Sequence, residues 1–375
     1  MARQRGLKSK SGPARRRSVR IKKSLPEPRC RIAILGVGGA GNRIVSHLVD
    51  KAIAGTRCIA VNTDLKDLDF TNATQKVLIG EKVTCGLSAG GNPETGKAAA
   101  QESKAIIESL VDNVDVAFVV AGLGGGTGTG AAPVVAEIAR RKGAVVVGVL
   151  ATPFRMNEYR SGFIAEALGA MRLACDTLVV ADNDRIRRAV ANLSAGEARE
   201  AADQYLVSMV RGIAENLSEP SMINLDFADF KTIVKEGGVA TYGIGESNAP
   251  NRAEEAVQNA LNTSLFNVDC ADATGVLIQV SGDPRMTVQE VDRVKELVED
   301  RMGRGARVAW GARVNPTCEG SLKVTVVMTG VNLSYVRWGL SNMLNELYDL
   351  ESSYSVSQKS LPVDLGLDQI EGAED

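Results

Sequence analysis

The sequence predicts an α/β protein: a Rossmann-like, doubly wound parallel sheet joined by a long central helix to a smaller α+β domain. Three observations carry this. Short apolar runs rich in β-branched residues alternate with helical patterns from Arg31 to Ala181, as in parallel strands linked by crossover helices. Glycine-rich or Asn/Asp-rich segments follow those runs at their carboxyl ends, where such sheets bind ligands. A long helical stretch, Ala201 to Leu217, then precedes a pattern of mixed helices and strands.

The bulk numbers fit two cores. The chain has 375 residues, 44% hydrophobic and 24% charged, ordinary for a folded protein of two domains. Its net charge of −1 conceals an asymmetry, because residues 1–29 hold 11 of the 44 Lys and Arg residues but only one of the 45 acids, Glu27. That segment reads as a disordered basic tail, suited to touching nucleic acid or anionic lipid. The six cysteines are scattered without a CxxC pair, so neither a disulfide framework nor a zinc site is indicated and a reducing cytoplasm fits. No apolar run has membrane-spanning length, and the N-terminal stretch lacks the apolar segment expected of a signal peptide.

The folded body begins with a strand, Arg31 to Leu35. It runs into Gly36-Val37-Gly38-Gly39-Ala40-Gly41-Asn42 and a helix, Arg43 to Ala54. Gly36, Gly38 and Gly41 match the dinucleotide fingerprint G-x-G-x-x-G. The next strand, Cys58 to Val61, ends at Asn62-Thr63-Asp64, where a ribose-binding acid would sit. Alone, these features suggest an NAD-dependent oxidoreductase. His47, the only histidine, lies in the first helix; its solitude excludes Ser-His-Asp, Cys-His and histidine–metal chemistry. Gly91 to Ala98 imitates a P-loop, but Ala98 stands where Ser or Thr should hold Mg²⁺ and no strand precedes it. Glu94 to Leu110 reads as one helix.

The central motif follows a buried strand, Asp115 to Val120. It is Gly122-Leu123-Gly124-Gly125-Gly126-Thr127-Gly128-Thr129-Gly130, leading to a helix from Ala131 to Arg141 with Pro133 near its first turn. Free backbone N–H groups and the helix dipole converge there and favour an anion. Missing side chains let a phosphate approach, and Thr127 and Thr129 offer hydroxyls. A dinucleotide enzyme has no use for this second cradle. The strand Ala144 to Leu150, the helix Tyr159 to Cys175 and the strand Thr177 to Ala181 continue the alternation, which ends at Asp182-Asn183-Asp184.

After the connecting helix, Asp226 and Asp229 stand three apart at a helix start, on one face near its positive end. Capping of that helix accounts for Asp226 alone. Helices over Arg252 to Leu265 and Thr287 to Met302, with strands near Gly275 to Ser281, Ala306 to Gly311 and Leu322 to Thr329, give the α+β pattern. Val336, Leu340, Met343, Leu347 and Leu350 share one helical stripe. The acidic tail carries a short apolar peptide, Leu361 to Ile370, of a kind that binds partners. The expected organisation is a basic tail at 1–29 and a nucleotide domain at 30–200. A connecting helix at 201–220, an α+β domain at 221–331, an amphipathic helix at 332–350 and a disordered acidic tail at 351–375 follow.

Three motifs also carry a resemblance, in order and spacing: the GGGTGTG loop, Ala89-Gly90-Gly91-Asn92-Pro93, and Asn224-Leu225-Asp226-Phe227-Ala228-Asp229. Together they resemble the FtsZ family, prokaryotic cell-division GTPases of the tubulin superfamily, in its archaeal form, over residues 31 to 330. The resemblance implies the tubulin/FtsZ fold, binding of GTP and GDP with Mg²⁺ sharing the phosphate charge, and GTP hydrolysis coupled to assembly. It assigns nucleotide contacts to Gly38, Gly39, Ala40, Gly41, Asn42, Ala89, Gly90 and Gly91, and to Gly124, Gly125, Gly126, Thr127, Gly128 and Thr129. Glu158 and Arg160 correspond to the ribose-contacting pair, although Glu158 precedes Arg160 by two positions where the family has four. Asn183 matches the base-contacting Asn, and Asp203 the acceptor of the guanine N1 and N2 donors. Arg199 stands where an aromatic commonly stacks on the base, a role a guanidinium also fills.

Phosphoryl transfer needs positioning, charge stabilisation and an oriented water. Neither glycine loop has a carboxylate for that water. The family's answer is catalysis in trans, with Asn224, Asp226 and Asp229 entering the neighbouring subunit's GTP site. Such a head-to-tail contact propagates into a filament. The implied partners are other copies of the chain, and membrane-anchor or division proteins that read the C-terminal tail at mid-cell. The resemblance leaves open a filament that shapes cells and a relative that polymerises without hydrolysis.

Overall fold

In a computed structural model, the described residues are 30–331 except 51, 52, 54, 154–157, 182, 184–193, 219, 220, 236, 263–269, 304, 316 and 317, with side chains at 158–161 and 271 also left out. The expectations for the basic tail, the amphipathic helix at 332–350 and the acidic tail therefore lie outside the described residues.

The expected alternation is present in the first half, with α2, β3 and α3 added where no element was expected. β1 (Ile32–Val37) leads into α1 (Gly38–Val49), then β2 (Thr56–Asn62), α2 (Leu65–Phe70), β3 (Gln75–Leu78) and α3 (Glu81–Thr84). After α4 (Pro93–Glu102) and α5 (Lys104–Leu110) come β4 (Val116–Gly122), α6 (Gly126–Arg141), β5 (Val145–Ala151), α7 (Glu158–Ala174) and β6 (Thr177–Ala181). The long helix α8 (Ala195–Ser218) leads to α9 (Phe227–Val234), β7 (Gly238–Ser247), α10 (Arg252–Asn262), β8 (Gly275–Gly282), α11 (Val288–Glu299), β9 (Arg307–Val314) and β10 (Leu322–Thr329).

These strands form one ten-stranded sheet in the order β3-β2-β1-β4-β5-β6-β7-β10-β8-β9. Pairing is parallel from β3 through β7, and β10 runs antiparallel to both β7 and β8. The join between the halves is β6 on β7, with Thr177 beside Gly238 and Val179 beside Ala240. Continuous apolar sequences suit strands covered on both faces, and β1, β5 and β6 are buried along their whole length. On one face Leu35, Val119 and Leu150 pack with α4, α6 and α7; on the other Ile34, Phe118 and Val149 pack with α1 and α8 and join Phe230 and Tyr242 of the second half. The carboxyl ends of β1, β2, β4, β5 and β6 share one pole.

Four sequence expectations are corrected. The first helix starts within the glycine loop, at Gly38 rather than Arg43, and ends at Val49. The helix after the signature motif starts at Gly126 rather than Ala131, which places Pro133 inside it. The single helix expected over Glu94 to Leu110 is two, because Ser103 at the break turns its Oγ to accept the Gly80 N–H at 2.9 Å. The connecting helix begins at Ala195, six residues before the expected Ala201. A ten-residue strand, β7, occupies a stretch in which no strand was expected.

Candidate functional site

The two glycine segments are pressed together at the carboxyl pole. Gly38 has φ +72°, and an added Cβ there would come within 2.8 Å of the Gly128 backbone nitrogen. A Cβ on Gly126 would lie 2.8 Å from the backbone of Asn92. All three loops therefore meet, and only glycine permits the approach. Two hydroxyls fasten the junction: Thr63 Oγ1 and Thr127 Oγ1 are 2.8 Å apart and buried. Within the signature loop, Gly124 N–H donates to Thr129 Oγ1 at 2.9 Å. Thr129 thus closes its own loop, whereas Thr127 ties it to the segment just after β2.

Between the loops lies a cavity of about 360 Å³. Of the residues expected to hold phosphates, Gly38, Gly39, Ala40, Ala89, Gly90, Gly91, Gly125, Gly126, Thr127 and Gly128 line it. Nothing lies within 4 Å of a Cβ added at Gly90, Gly91 or Gly125, so their backbones face open space. Because α1 and α6 both start inside their glycine segments, two helix N-termini aim their unpaired N–H groups into this cavity. Gly41 and Asn42 stand behind the loop: Gly41 packs against the Val120 carbonyl, and Asn42 is buried with neither side-chain polar atom hydrogen-bonded among the described residues. A larger groove of about 450 Å³ between α4, α6 and α7 has no comparable convergence of helix N-termini.

Sequence reasoning missed part of this cavity. Asn62, Asp64 and Asp67 line it as well. Asp64 caps α2 by accepting from the backbone of Lys66 and Asp67, and Asn62 Nδ2 donates to Asp67 Oδ2 at 2.6 Å. The available signal was Asn-Thr-Asp at the end of β2, read only as a ribose position.

The expected base contacts lie nearby on other elements. Asn183, just beyond β6, is buried with its Oδ1 unpartnered among the described residues; its backbone N–H donates to Thr152 Oγ1 at 3.3 Å. Asp203 on α8 is buried and accepts from Arg43 Nε of α1 at 3.1 Å. Burial pushes the Asp203 carboxyl above the usual range, and the Arg43 charge opposes that. His47 Nε2, one turn further along α1, is 3.6 Å from Glu200 of α8. The backbones of Glu158 and Arg160 lie in the first turn of α7, and their side chains are outside the described residues.

Asn224, Asp226 and Asp229 are exposed and distant from the cavity. Asp226 caps α9 by accepting from Ala228 N–H at 2.9 Å, and Asn224 Oδ1 accepts from Ser221 N–H at 2.7 Å. Their pole is fixed by the far end of the same helix, where the Val234 carbonyl accepts from Thr177 Oγ1, the first residue of β6, at 2.6 Å. Asp115, just before β4, is held below the usual carboxylate range by hydrogen bonds from Arg31, and the charge of Lys231 on α9 adds to this. Helix α9 therefore sits at the amino ends of the strands. The phosphate cavity lies at their carboxyl ends, beyond a strand of seven residues and hence about 20 Å away.

Comparison with known proteins agrees with this geometry. The Tubulin/FtsZ family GTPase domain matches residues 31–191, and the FtsZ family C-terminal domain matches residues 238–332. Cell division protein FtsZ 2 of Haloferax volcanii is 40% identical over 306 residues, 82% of this chain and 76% of its own length. Cell division protein FtsZ 1 of Pyrococcus horikoshii is 42% identical over 317 residues, covering 84% of this chain and 85% of that protein. Among solved structures, an FtsZ dimer of M. jannaschii superposes with a TM-score of 0.78 at 42% identity, over 80% of this chain and 88% of its own. CetZ2 from Haloferax volcanii, at 24% identity and a TM-score of 0.70 over 86% of this chain and 99% of that one, shares the fold. The chain belongs to the FtsZ family of the tubulin superfamily.

Proposed function

We propose that this protein binds and hydrolyses GTP while polymerising head to tail into the filaments of a cell-division ring. It would work in the cytoplasm at the division site. Hydrolysis is completed in trans, by Asn224, Asp226 and Asp229 of the next subunit. The observation that carries this reading is the separation of the two half-sites. The phosphate cavity holds helix N-termini and glycine backbone at one pole, while the exposed Asp226 and Asp229 stand at the other, on the helix whose Val234 carbonyl accepts from Thr177 at the amino end of β6. One chain cannot bring them together, and a translated copy can.

Each group then has a task. The backbone N–H groups of Gly38, Gly39, Ala40 and Gly125 to Gly128 hold the phosphates. Asn183 and Asp203 read the base. Asp64 and Asp67 offer hard oxygen donors at the cavity wall, suited to Mg²⁺ in company with phosphate oxygens. When bound, the ion shares the charge on the terminal phosphates. Asn224, Asp226 and Asp229 orient the attacking water from across the contact, which makes hydrolysis depend on assembly.

The test is GTP-dependent light scattering with phosphate release, comparing wild type with Asp226→Ala. The variant is expected to assemble and to release phosphate roughly a hundredfold or more slowly. Equal turnover by wild type under conditions where it stays monomeric would show the in-trans mechanism to be wrong.

A further inference from the structure

The contact between α1 and α8 contains an ion pair that the phosphate cavity does not require. Arg43 follows the glycine turn by one helical step, and its Nε donates to Asp203 Oδ2 at 3.1 Å. The partners are unequal, with the Arg43 side chain 44% exposed and the Asp203 side chain 9% exposed. Among the described residues Asp203 Oδ1 accepts no hydrogen bond. We propose that Arg43 is a positioning residue for nucleotide specificity, holding one oxygen of Asp203 so that the carboxylate presents its remaining acceptor sites to the guanine edge. The inference rests on the assignment of Asp203 as a base reader.

The physical case has two parts. A carboxylate has about four lone-pair sites, and Arg43 occupies one. The remainder can still accept both N1–H and N2–H of guanine, and a single-point contact leaves the acceptor plane defined without consuming it. The second part concerns charge. A carboxyl buried this far favours its neutral form, which keeps a donor hydrogen where the base also brings donors. Arg43 is the principal group opposing that. The other charged groups facing Asp203 are His47 from α1, which assists when protonated, and Glu200 from α8, which opposes. Without Arg43, the balance moves toward the neutral acid and selectivity becomes dependent on pH.

Inosine triphosphate lacks the N2 amino group and so reports on this edge. Its affinity and that of GTP are measured on the full chain, below the concentration at which scattering reveals filaments. Wild type, Arg43→Gln, Arg43→Lys and Asp203→Asn are compared at about pH 6 and about pH 8. Wild type is expected to prefer GTP by roughly tenfold or more at both. Arg43→Gln should lose more of that preference at the lower pH than at the higher, while Arg43→Lys, which retains the charge, should follow wild type. A wild-type ratio in Arg43→Gln at both pH values, whatever its melting temperature, reduces the pair to a structural bridge and overturns the inference. A ratio lost equally at both values supports the holding of the oxygen and overturns the part given to charge. If Asp203→Asn keeps the preference, the assignment of Asp203 fails first.

Discussion

At the scale of single residues, the glycines of the signature loop divide by what surrounds them. A Cβ on Gly130 would collide with the Pro93 carbonyl, where α6 packs on α4, whereas one on Gly125 meets nothing within 4 Å. Gly130→Ala should therefore destabilise the fold by about 3 kcal/mol, visible as a lowered thermal midpoint. Gly125→Ala should leave the midpoint unchanged yet weaken GTP binding, because its methyl group enters the phosphate cavity. The opposite assignment of the two effects would disprove this partition. The sequence made the anion-binding character legible, since glycines between a strand and a helix have few other uses. It did not reveal which glycines face the ligand and which face protein. The role of Thr127 was hidden for the same reason, since its partner Thr63 is brought in by tertiary approach, and that of Thr129 because its bond to Gly124 depends on how the loop itself folds.

At the scale of elements, the parallel character of the first strands followed from apolar runs, and errors fell where packing overrides propensity. β7 escaped because Gly238, Gly243 and Gly245 interrupt its strand formers Val239, Thr241, Tyr242 and Ile244. Its glycines are there for α10: a Cβ on Gly243 or Gly245 would strike the carbonyls of Ala260 or Ala256. The start of α6 was hidden likewise, because glycine weakens a helix locally while close contact with α4 favours it globally. The second half is further tied by Arg252, whose guanidinium donates to Glu290 at 2.6 Å and Asp283 at 3.0 Å. Arg252 holds the Glu290 carboxyl below its usual range, and Arg285 followed by Arg252 does so for Asp283. Depressed carboxyl values contribute stability above the ordinary carboxylate range, which is lost as the pH falls through the folded-state values. Arg252→Gln should thus melt several degrees lower at neutral pH, and the gap to wild type should narrow on acidification. A constant gap would refute that role.

At the scale of the whole molecule, one sheet spans both halves, so the pole bearing the cavity and the pole bearing Asp226 belong to a single hydrogen-bonded framework. The sequence indicated two domains, but not that β6 and β7 would pair side by side. That join depends on a three-residue register which no local pattern announces. The proposed mechanism makes a demanding prediction here. Asp226→Ala retains its own cavity, and a cavity-blocked variant such as Gly125→Ala retains its acidic loop. Each alone should be nearly inert, but an equimolar mixture should release phosphate, because about a quarter of random contacts join one intact cavity to one intact loop. An inert mixture alongside active wild type would argue for catalysis within one chain.

The separation of Asp226 from the glycine cavity also bears on time. On the proposed reading, a nucleotide starts to age only when a neighbour arrives, and each arrival starts one clock. The subunit whose cavity faces solvent at a filament tip has no clock running, so it keeps GTP however old the filament behind it becomes. Interior nucleotides instead carry the date of their burial. A filament built this way records its own growth history along its length, oldest where the first contacts formed, and loss of the unspent tip would expose subunits whose nucleotide has already been consumed.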